Sequence, residues 1–210
     1  MKDLIIVGAG GMGRSVYNTA LQSCGYGKDY KIKGFIDDDL NALNQYKGYP
    51  PIIGKISDYC IRDNDVFISA LGNVISKKKC IESLLDRDAE FITLVHPTTL
   101  INCNAKLGKG CLIDSFSVIG ADTTIGDFVV IGVGTVVGHD VEIGNWSRID
   151  GHVTLVGGVV LGEEVCVHTG AIINHKVCLG NRSCVGAGSF VIRKVQAETT
   201  VFGNPAKRFI

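Results

Sequence analysis

The chain has 210 residues, of which 46% are hydrophobic, and its 21 Lys and Arg residues balance 21 Asp and Glu residues. This length suits one large domain or two small ones, and the lack of a basic excess argues against nucleic acid or an anionic membrane surface as the main partner. No stretch approaches the roughly 18 uninterrupted apolar residues of a membrane span, and the N-terminal apolar run is too short for a signal peptide. Eight cysteines without CxxC spacing indicate reduced, small apolar side chains rather than zinc ligands, and they predict a cytoplasmic protein.

Strands and helices alternate over residues 1–95, the predicted first domain. The predicted strands are 4–10, 32–39, 65–73 and 91–96, and the predicted helices are 12–24 and 74–88. This alternation predicts an α/β domain with a parallel sheet. The elements are too few for both mononucleotide halves of a dinucleotide-binding domain, so we expect a truncated Rossmann-like sheet.

A glycine-rich turn, VGAGGMG, joins the first predicted strand to the first predicted helix. Gly8, Gly10 and Gly13 in this turn form a GxGxxG pattern, whose backbone N–H groups can receive a phosphate with help from the helix dipole. Asp37 and Asp38 end the second strand, where an acid can bind a ribose hydroxyl or a base N–H. The pattern alone would indicate NAD, but a domain of this size favours a smaller nucleotide ligand.

The second predicted domain, residues 96–210, changes to a period of six. Every sixth residue from Ile101 to Val191 is aliphatic, sixteen in all and without a gap, and the residue after each is usually Gly, Asp or Asn. Four residues after each aliphatic comes a small or β-branched residue. This hexapeptide repeat predicts a parallel β-helix with three hexads in each coil of 18 residues. A β-sandwich would instead show period two broken by irregular turns.

The order of motifs along the whole chain resembles the hexapeptide-repeat acyltransferases, and more narrowly the sugar acetyltransferases of the PglD and NeuD types and the perosamine N-acetyltransferases. The motifs are VGAGGMG (7–13), FIDDD (35–39), ALGN (70–73), VHPTT (95–99), VVGHDVEIG (136–144), GAGS (186–189) and VFGNPAKRF (201–209). The resemblance implies a left-handed β-helix, a homotrimer, acetyl-CoA bound between neighbouring β-helices, and a nucleotide sugar held partly by the N-terminal domain. The implied reaction is acetyl transfer from acetyl-CoA to the amino group of a nucleotide-linked sugar, for bacterial glycan, O-antigen or capsule synthesis, with no metal required.

His139 and Asp140 are the predicted catalytic residues. Acyl transfer needs a base, and an imidazole titrates near neutral pH. A carboxylate bonded to the other ring nitrogen fixes the tautomer and raises the basicity. The family places its catalytic histidine in the VVGHDVEIG motif, which carries over to His139. The sequence leaves open whether Asp140 or Asp122, one coil or about 4.8 Å away along the axis, supports the ring.

The resemblance also carries over binding residues. Gly157 matches the residue whose backbone N–H meets the thioester carbonyl, and the absence of a Cβ lets the acetyl group approach. Arg148 departs from the family, in which many members have a histidine there; it cannot act as a base but can donate to the cofactor or to a phosphate. The remaining cofactor-binding candidates are Thr169, Ala187 and Lys207. The substrate-binding candidates are Gly11, Met12, Gly13, Asp37, Asp38, Gly72 and Asn73.

Three alternative functions remain at this point. The first is O-acetylation of sialic acid or a related sugar. The second is a zinc lyase like the γ-class carbonic anhydrases, but His139 and His175 lie two coils, roughly 9.6 Å, apart, too far for two zinc–nitrogen bonds of about 2.0–2.1 Å in one subunit. The third is a scaffold without catalytic activity, against which the His139–Asp140 pair argues.

Overall fold

The chain folds into two compact units. The computed structural model describes residues 1–209, and its contacts divide the chain into Met1–Pro97 and Thr98–Ile210. Within the described residues, neither helix has the length and apolar composition that a membrane span requires.

The first unit contains a small parallel sheet and two helices. Its elements are β1 (Lys2–Val7), α1 (Gly11–Gln22), β2 (Tyr30–Ile36), β3 (Asp65–Ser69), α2 (Val74–Leu85) and β4 (Leu94–Val95). The sheet has the order β2–β1–β3, and both pairings are parallel. Buried apolar side chains fill β1 from Leu4 to Val7, as expected of a central strand covered on both faces. The predicted α/β class and its strand–helix order are confirmed.

The predicted strand 91–96 is divided in two. Residues 90–92 bond to Phe67, through Phe67 N–H to Glu90 O (2.8 Å) and Ile92 N–H to Phe67 O (3.0 Å), and Phe91 forms a parallel bridge with Phe67. Only Leu94–Val95 is a strand of its own. The first half of the segment therefore pairs with Phe67 in the middle of β3, which the hydrophobic period alone did not reveal.

Asp65 is the buried carboxylate at the start of β3. Its side chain is fully buried, and it accepts hydrogen bonds from Lys33 Nζ (2.5 Å), Tyr59 Oη (2.9 Å) and the Arg62 N–H (3.0 Å). Burial alone would raise the pKa of this carboxyl, but the bonds from Lys33, Arg62 and Tyr59 outweigh it and lower the pKa from its ordinary value of 3.8. The carboxylate joins β2, β3 and the segment between them.

The second unit is a parallel β-helix of sixteen two-residue strands, followed by a short C-terminal hairpin. Face I consists of β7 (Leu112–Ile113), β10 (Val130–Ile131), β13 (Arg148–Ile149), β16 (Cys166–Val167) and β19 (Cys184–Val185), extended by β21 (Thr200–Phe202) and β22 (Lys207–Arg208). Face II consists of β5 (Leu100–Ile101), β8 (Val118–Ile119), β11 (Val136–Val137), β14 (Thr154–Leu155), β17 (Ile172–Ile173) and β20 (Phe190–Val191). Face III consists of β6 (Lys106–Leu107), β9 (Thr124–Ile125), β12 (Glu142–Ile143), β15 (Val160–Leu161) and β18 (Cys178–Leu179). The predicted parallel β-helix is confirmed.

The hexad residues stack in the 18-residue register that the sequence predicts. Ile131 pairs with Ile113 below it and Ile149 above it, and all three are fully buried. The small residues of the repeat are also inside, and their hydroxyls close the turns: Thr135 Oγ1 donates to Asp150 O at 2.9 Å and Ser147 Oγ donates to Gly162 O at 3.1 Å. These hydroxyls bind carbonyls of the next coil, so the interior leaves few buried polar groups unsatisfied.

Face II carries an exposed row of apolar side chains. Leu100, Val118, Val136, Thr154, Ile172 and Phe190 are cross-strand neighbours in one register. Three of them, Leu100, Val136 and Ile172, are 57%, 42% and 42% exposed. A contiguous apolar row of this kind is typical of an interaction surface.

We expect Asp65→Asn to destabilise the first unit by about 2–4 kcal/mol at neutral pH, because it leaves Lys33 beside a neutral amide in a buried site. A carboxyl with a lowered folded-state pKa stabilises the fold above its unfolded value and loses that contribution as the pH falls through the folded value. Urea unfolding of both proteins at pH 7 and pH 3 should therefore show a stability gap that closes at the lower pH. The exposed Asp63→Asn is the control, and an Asp65→Asn gap independent of pH would contradict this account.

Candidate active site

His139 and Asp140 lie together at the corner between faces II and III. Nδ1 of the imidazole is 2.6 Å from Asp140 Oδ2, and about two thirds of each side chain is exposed. Asp140 has a φ of 56°, a left-handed turn conformation that Asp tolerates. The turn brings the two neighbouring side chains to the same side. Since an ionised carboxylate only accepts, Nδ1 is the donor in this bond, which in the neutral form of the ring places the lone pair on Nε2.

The backbone beneath this pair is held by the coils on both sides. The Asp140 N–H donates to Ala121 O at 3.0 Å, and His139 O accepts from the Gly158 N–H at 2.9 Å. The buried Thr123 hydroxyl donates to Gly138 O at 2.9 Å. The catalytic candidate therefore stands on a rigid frame, as a preorganised site requires.

Gly157 makes room for the imidazole ring. A Cβ built on Gly157 would lie 2.6 Å from both Cε1 and Nε2 of His139, well inside van der Waals contact. Its N–H, one coil above the ring, has no hydrogen-bond partner among residues 1–209. The structure thus gives a physical reason for this glycine that the sequence did not. Because Gly157 has no Cβ, it leaves room for the imidazole ring, and its N–H stays available for a hydrogen bond.

Asp122 is bound to a different residue. Its Oδ1 accepts from Asn104 Nδ2 at 3.0 Å, one coil in the direction away from Asp140. Of the two acids that the sequence left open, Asp140 is therefore the one bonded to His139.

A second group of polar side chains lies at the end of face I. Asp150 accepts from Arg148 Nε at 2.6 Å on one oxygen and bonds His168 Nδ1 at 2.9 Å with the other. The Asp150 side chain is only 15% exposed, whereas Arg148 and His168 are 33% and 42% exposed. Burial, and then the charge of Asp150, raise the pKa of the nearby Cys184 thiol. We call Arg148, Asp150 and His168 the face I triad.

Neither Asp150 nor His168 was identified as a site residue from the sequence. The signal was present, because residues 150 and 168 are 18 apart in a helix whose strands pair at that spacing, such as Ile149 with Val167. Acidic and basic residues that are 18 positions apart in this repeat are therefore candidates for direct contact.

The predicted cofactor-binding residues divide between two corners of the β-helix. His139 and Gly157 occupy the corner between faces II and III, whereas Thr169 and Ala187 are exposed at the corner between faces I and II. Arg148 lies on face I, and the exposed Lys207 lies in β22, which extends that face. One copy of the chain does not bring the two sets together.

The predicted phosphate-binding turn leaves the N-terminus of α1 open. No side chain caps the helix at Gly10, and a Cβ at Gly11 would meet only the end of Arg14 at 3.9 Å. Gly13 is different, because a Cβ there would collide with the Gly8 carbonyl oxygen. Gly13 therefore allows α1 to pack on β1, while the first-turn N–H groups of Gly11 and Met12 face an open space.

The acids after β2 are already engaged with backbone N–H groups. Asp37 Oδ2 accepts from the Ala9 N–H at 2.7 Å and Oδ1 accepts from the Asp39 N–H at 2.9 Å, so Asp37 fixes the glycine turn. The exposed Asp38 accepts from the Ile56 N–H at 3.1 Å. After β3, Gly72 precedes Asn73, whose side chain caps α2 by accepting from the Ser76 N–H at 2.9 Å. All these residues follow carboxyl ends of parallel strands, where nucleotides bind in such sheets.

Residues 1–209 contain no group of three or more His, Cys, Asp or Glu side chains that could hold a metal ion.

Both halves of the chain match families of known proteins. Residues 3–84 match the PglD N-terminal domain and residues 92–189 match the GMPPB C-terminal domain. GDP-perosamine N-acetyltransferase of Escherichia coli O157:H7 is 29% identical over 219 residues, covering 96% of this chain and 94% of that protein. UDP-N-acetylbacillosamine N-acetyltransferase of Bacillus subtilis (strain 168) is 32% identical over 118 residues, and the match spans about half of each chain, 54% and 51%. The acetyltransferase domain of PglB from Neisseria gonorrhoeae FA1090, solved with acetyl coenzyme A, has a TM-score of 0.89 at 26% identity and 99% coverage of both chains.

The chain is similar over its whole length to sugar N-acetyltransferases of the PglD and perosamine types. The resemblance inferred from the motif order is confirmed, as is the prediction of an acyltransferase. The roles of individual residues are not tested by these matches and stay predictions.

We expect Gly157→Ala to lower acetyl transfer by roughly 100-fold, because a displacement of about 1 Å at a reacting group has an effect of that size. Steady-state kinetics measures the loss, and the far-ultraviolet circular dichroism should not change. Gly54→Ala is the matched control, since a Cβ there meets only the Tyr59 ring at 3.4 Å. Wild-type turnover in Gly157→Ala would show that the ring does not act from this position.

Proposed function

We propose that the protein transfers the acetyl group of acetyl-CoA to the amino group of a nucleotide-linked sugar, with His139 as general base. The observation that carries the proposal is the bond between His139 Nδ1 and Asp140 (2.6 Å), which leaves the Nε2 lone pair exposed beside Gly157. The names of the relatives support N-acetylation and acetyl-CoA as co-substrate. We also propose a cytoplasmic location, which the eight free cysteines of the chain support.

The chemistry assigns one task to each group. His139 Nε2 accepts a proton from the sugar amine as the nitrogen forms its bond to the thioester carbonyl carbon. The Gly157 N–H donates to the carbonyl oxygen as it gains negative charge. Asp140 stabilises the imidazolium that results. When the carbon–sulfur bond breaks, His139 returns the proton to the departing thiolate, and the free ring is restored.

We assign the nucleotide to the first unit, the predicted nucleotide-sugar-binding domain 1–95. The open N-terminus of α1 at Gly11 and Met12 offers N–H groups to a phosphate. Asp38 and Asn73 follow β2 and β3, the strands on either side of β1, where they can meet the ribose or the base. Asp37 contributes mainly by holding the Ala9 N–H and therefore the shape of the turn. Residues 96–210 then form the acetyltransferase domain.

We infer that the active assembly is a homotrimer. Face II carries the apolar row, and it lies between the corner with His139 and the corner that follows the face I triad. Three copies that pack their face II surfaces together around a threefold axis remove the apolar row from water. The arrangement sets His139 of one copy beside Arg148, Thr169 and Ala187 of the next, so that one acetyl-CoA contacts both sets.

The substrate class is tested by acetyl-CoA turnover with UDP-, GDP- and dTDP-linked amino sugars and with free sialic acid. We expect one nucleotide amino sugar to be acetylated on nitrogen and His139→Ala to lose at least about 100-fold in kcat. His175→Ala, at the same turn position two coils on, is the control. Acetylation of sialic acid alone would establish the O-acetyltransferase alternative, and full activity in His139→Ala would refute the assigned base.

The shared site is tested by mixing two defective variants. His139→Ala and Arg148→Ala damage opposite sides of each proposed interface, so a trimer containing both variants has some sites with both residues intact. Random assembly at a 1:1 ratio predicts recovery to about a quarter of wild-type activity per site. If each chain holds a complete site, coexpression will give only the average of the two defective activities.

A further inference from the structure

A polar groove lies one coil from the His139–Asp140 pair. Its volume is about 400 Å³, within the range of small-molecule sites, and it is lined by Asn104, Ala105, Lys106, Asp122 and Thr124. Neither the catalytic step nor the apolar row of face II uses any of these residues.

The groove lies at the same corner of the β-helix as the catalytic pair, one coil away. Asp122 occupies the same turn position as Asp140, one coil or about 4.8 Å earlier along the axis, with φ values of 57° and 56°. Ala121, its neighbour, is bonded to the Asp140 N–H. A sugar ring bonded to Asp122 would therefore lie along the same corner of the β-helix as His139.

Unused hydrogen-bonding groups line the groove. Asn104 holds Asp122 through Oδ1 only, and Oδ2 has no partner among residues 1–209. Lys106 Nζ and the Thr124 hydroxyl also have none within that range, and the two residues are cross-strand neighbours on face III. One cation, one carboxylate and one hydroxyl suit a neutral or dipolar ring with several hydroxyl groups better than a phosphate, which the carboxylate would repel.

We propose that this groove is the subsite for the sugar ring of the acceptor, with the Asp122 carboxylate accepting from a ring hydroxyl. The inference rests on the proposed function, since it names the part of that substrate that the second unit holds. Lys106 and Thr124 complete the hydrogen bonds to the ring. The groove opens on face III rather than on the apolar face II, so it remains accessible in the proposed trimer.

The test measures binding, so it does not depend on turnover. The probes are the UDP-, GDP- and dTDP-linked amino sugars, each compared by calorimetry with its own nucleoside diphosphate. The informative pair is the one whose nucleotide sugar binds wild-type protein more tightly than its nucleoside diphosphate does. Asp122→Asn and Thr124→Val should each weaken the binding of that nucleotide sugar by about tenfold. Affinity for the nucleoside diphosphate alone, and for acetyl-CoA, should not change. Asn at residue 122 tolerates the left-handed turn, so folding is preserved.

Cys178→Ser, an exposed residue further along face III, is the matched control. The same nucleotide sugar with a hydroxyl in place of the amine should be weakened equally by Asp122→Asn, because Asp122 meets a ring hydroxyl; weakening of the amine form alone would contradict this assignment. Unchanged affinity in both variants, equal loss for the bare nucleoside diphosphate, or a wild-type protein that gains nothing from any sugar would overturn the subsite. A protein that binds the sugar in the groove but never transfers acetyl would refute the proposed reaction while leaving the subsite intact.

Discussion

The structure of the second unit depends on one constraint, the closure of each coil in 18 residues. An aliphatic side chain must enter the interior at every sixth position, and residues 18 apart then stack at the spacing of parallel strands. Every outward residue is placed by that rule. His139 lies beneath Gly157 because no residue is inserted or lost between them, and a one-residue slip would put a different residue over the ring.

The same stacking creates two histidine–carboxylate pairs with different properties. At His139, Asp140 forms no ion pair with a Lys or Arg among residues 1–209, so its charge acts on the imidazole. At His168, the carboxylate of Asp150 is also bonded to Arg148. The positive charge of Arg148 offsets much of the effect of the carboxylate on the His168 ring. The first arrangement suits a base, whereas the second suits a fixed set of hydrogen-bonding groups. This difference, rather than the presence of a histidine, separates the two corners.

Much of this could be predicted from the sequence. The six-residue repeat of Ile131 and its counterparts predicts the coils of the β-helix. The position of His139 at a turn follows from the same six-residue register. The direction of the Asp140 side chain did not follow, because it depends on a left-handed backbone conformation that the residue type permits but does not require. The role of Gly157 as clearance for a ring also needed coordinates. In the first unit, the pattern identified Asp37, but not that its carboxylate is bonded to the Ala9 N–H.

The central claim is that His139 Nε2 takes the proton of the acceptor amine. A crystal structure of the protein with CoA and its nucleotide amino sugar tests this most directly. The account predicts the sugar nitrogen within about 3.2 Å of His139 Nε2, the range for proton transfer. A sugar nitrogen out of reach of His139 but bonded to another basic side chain would contradict it.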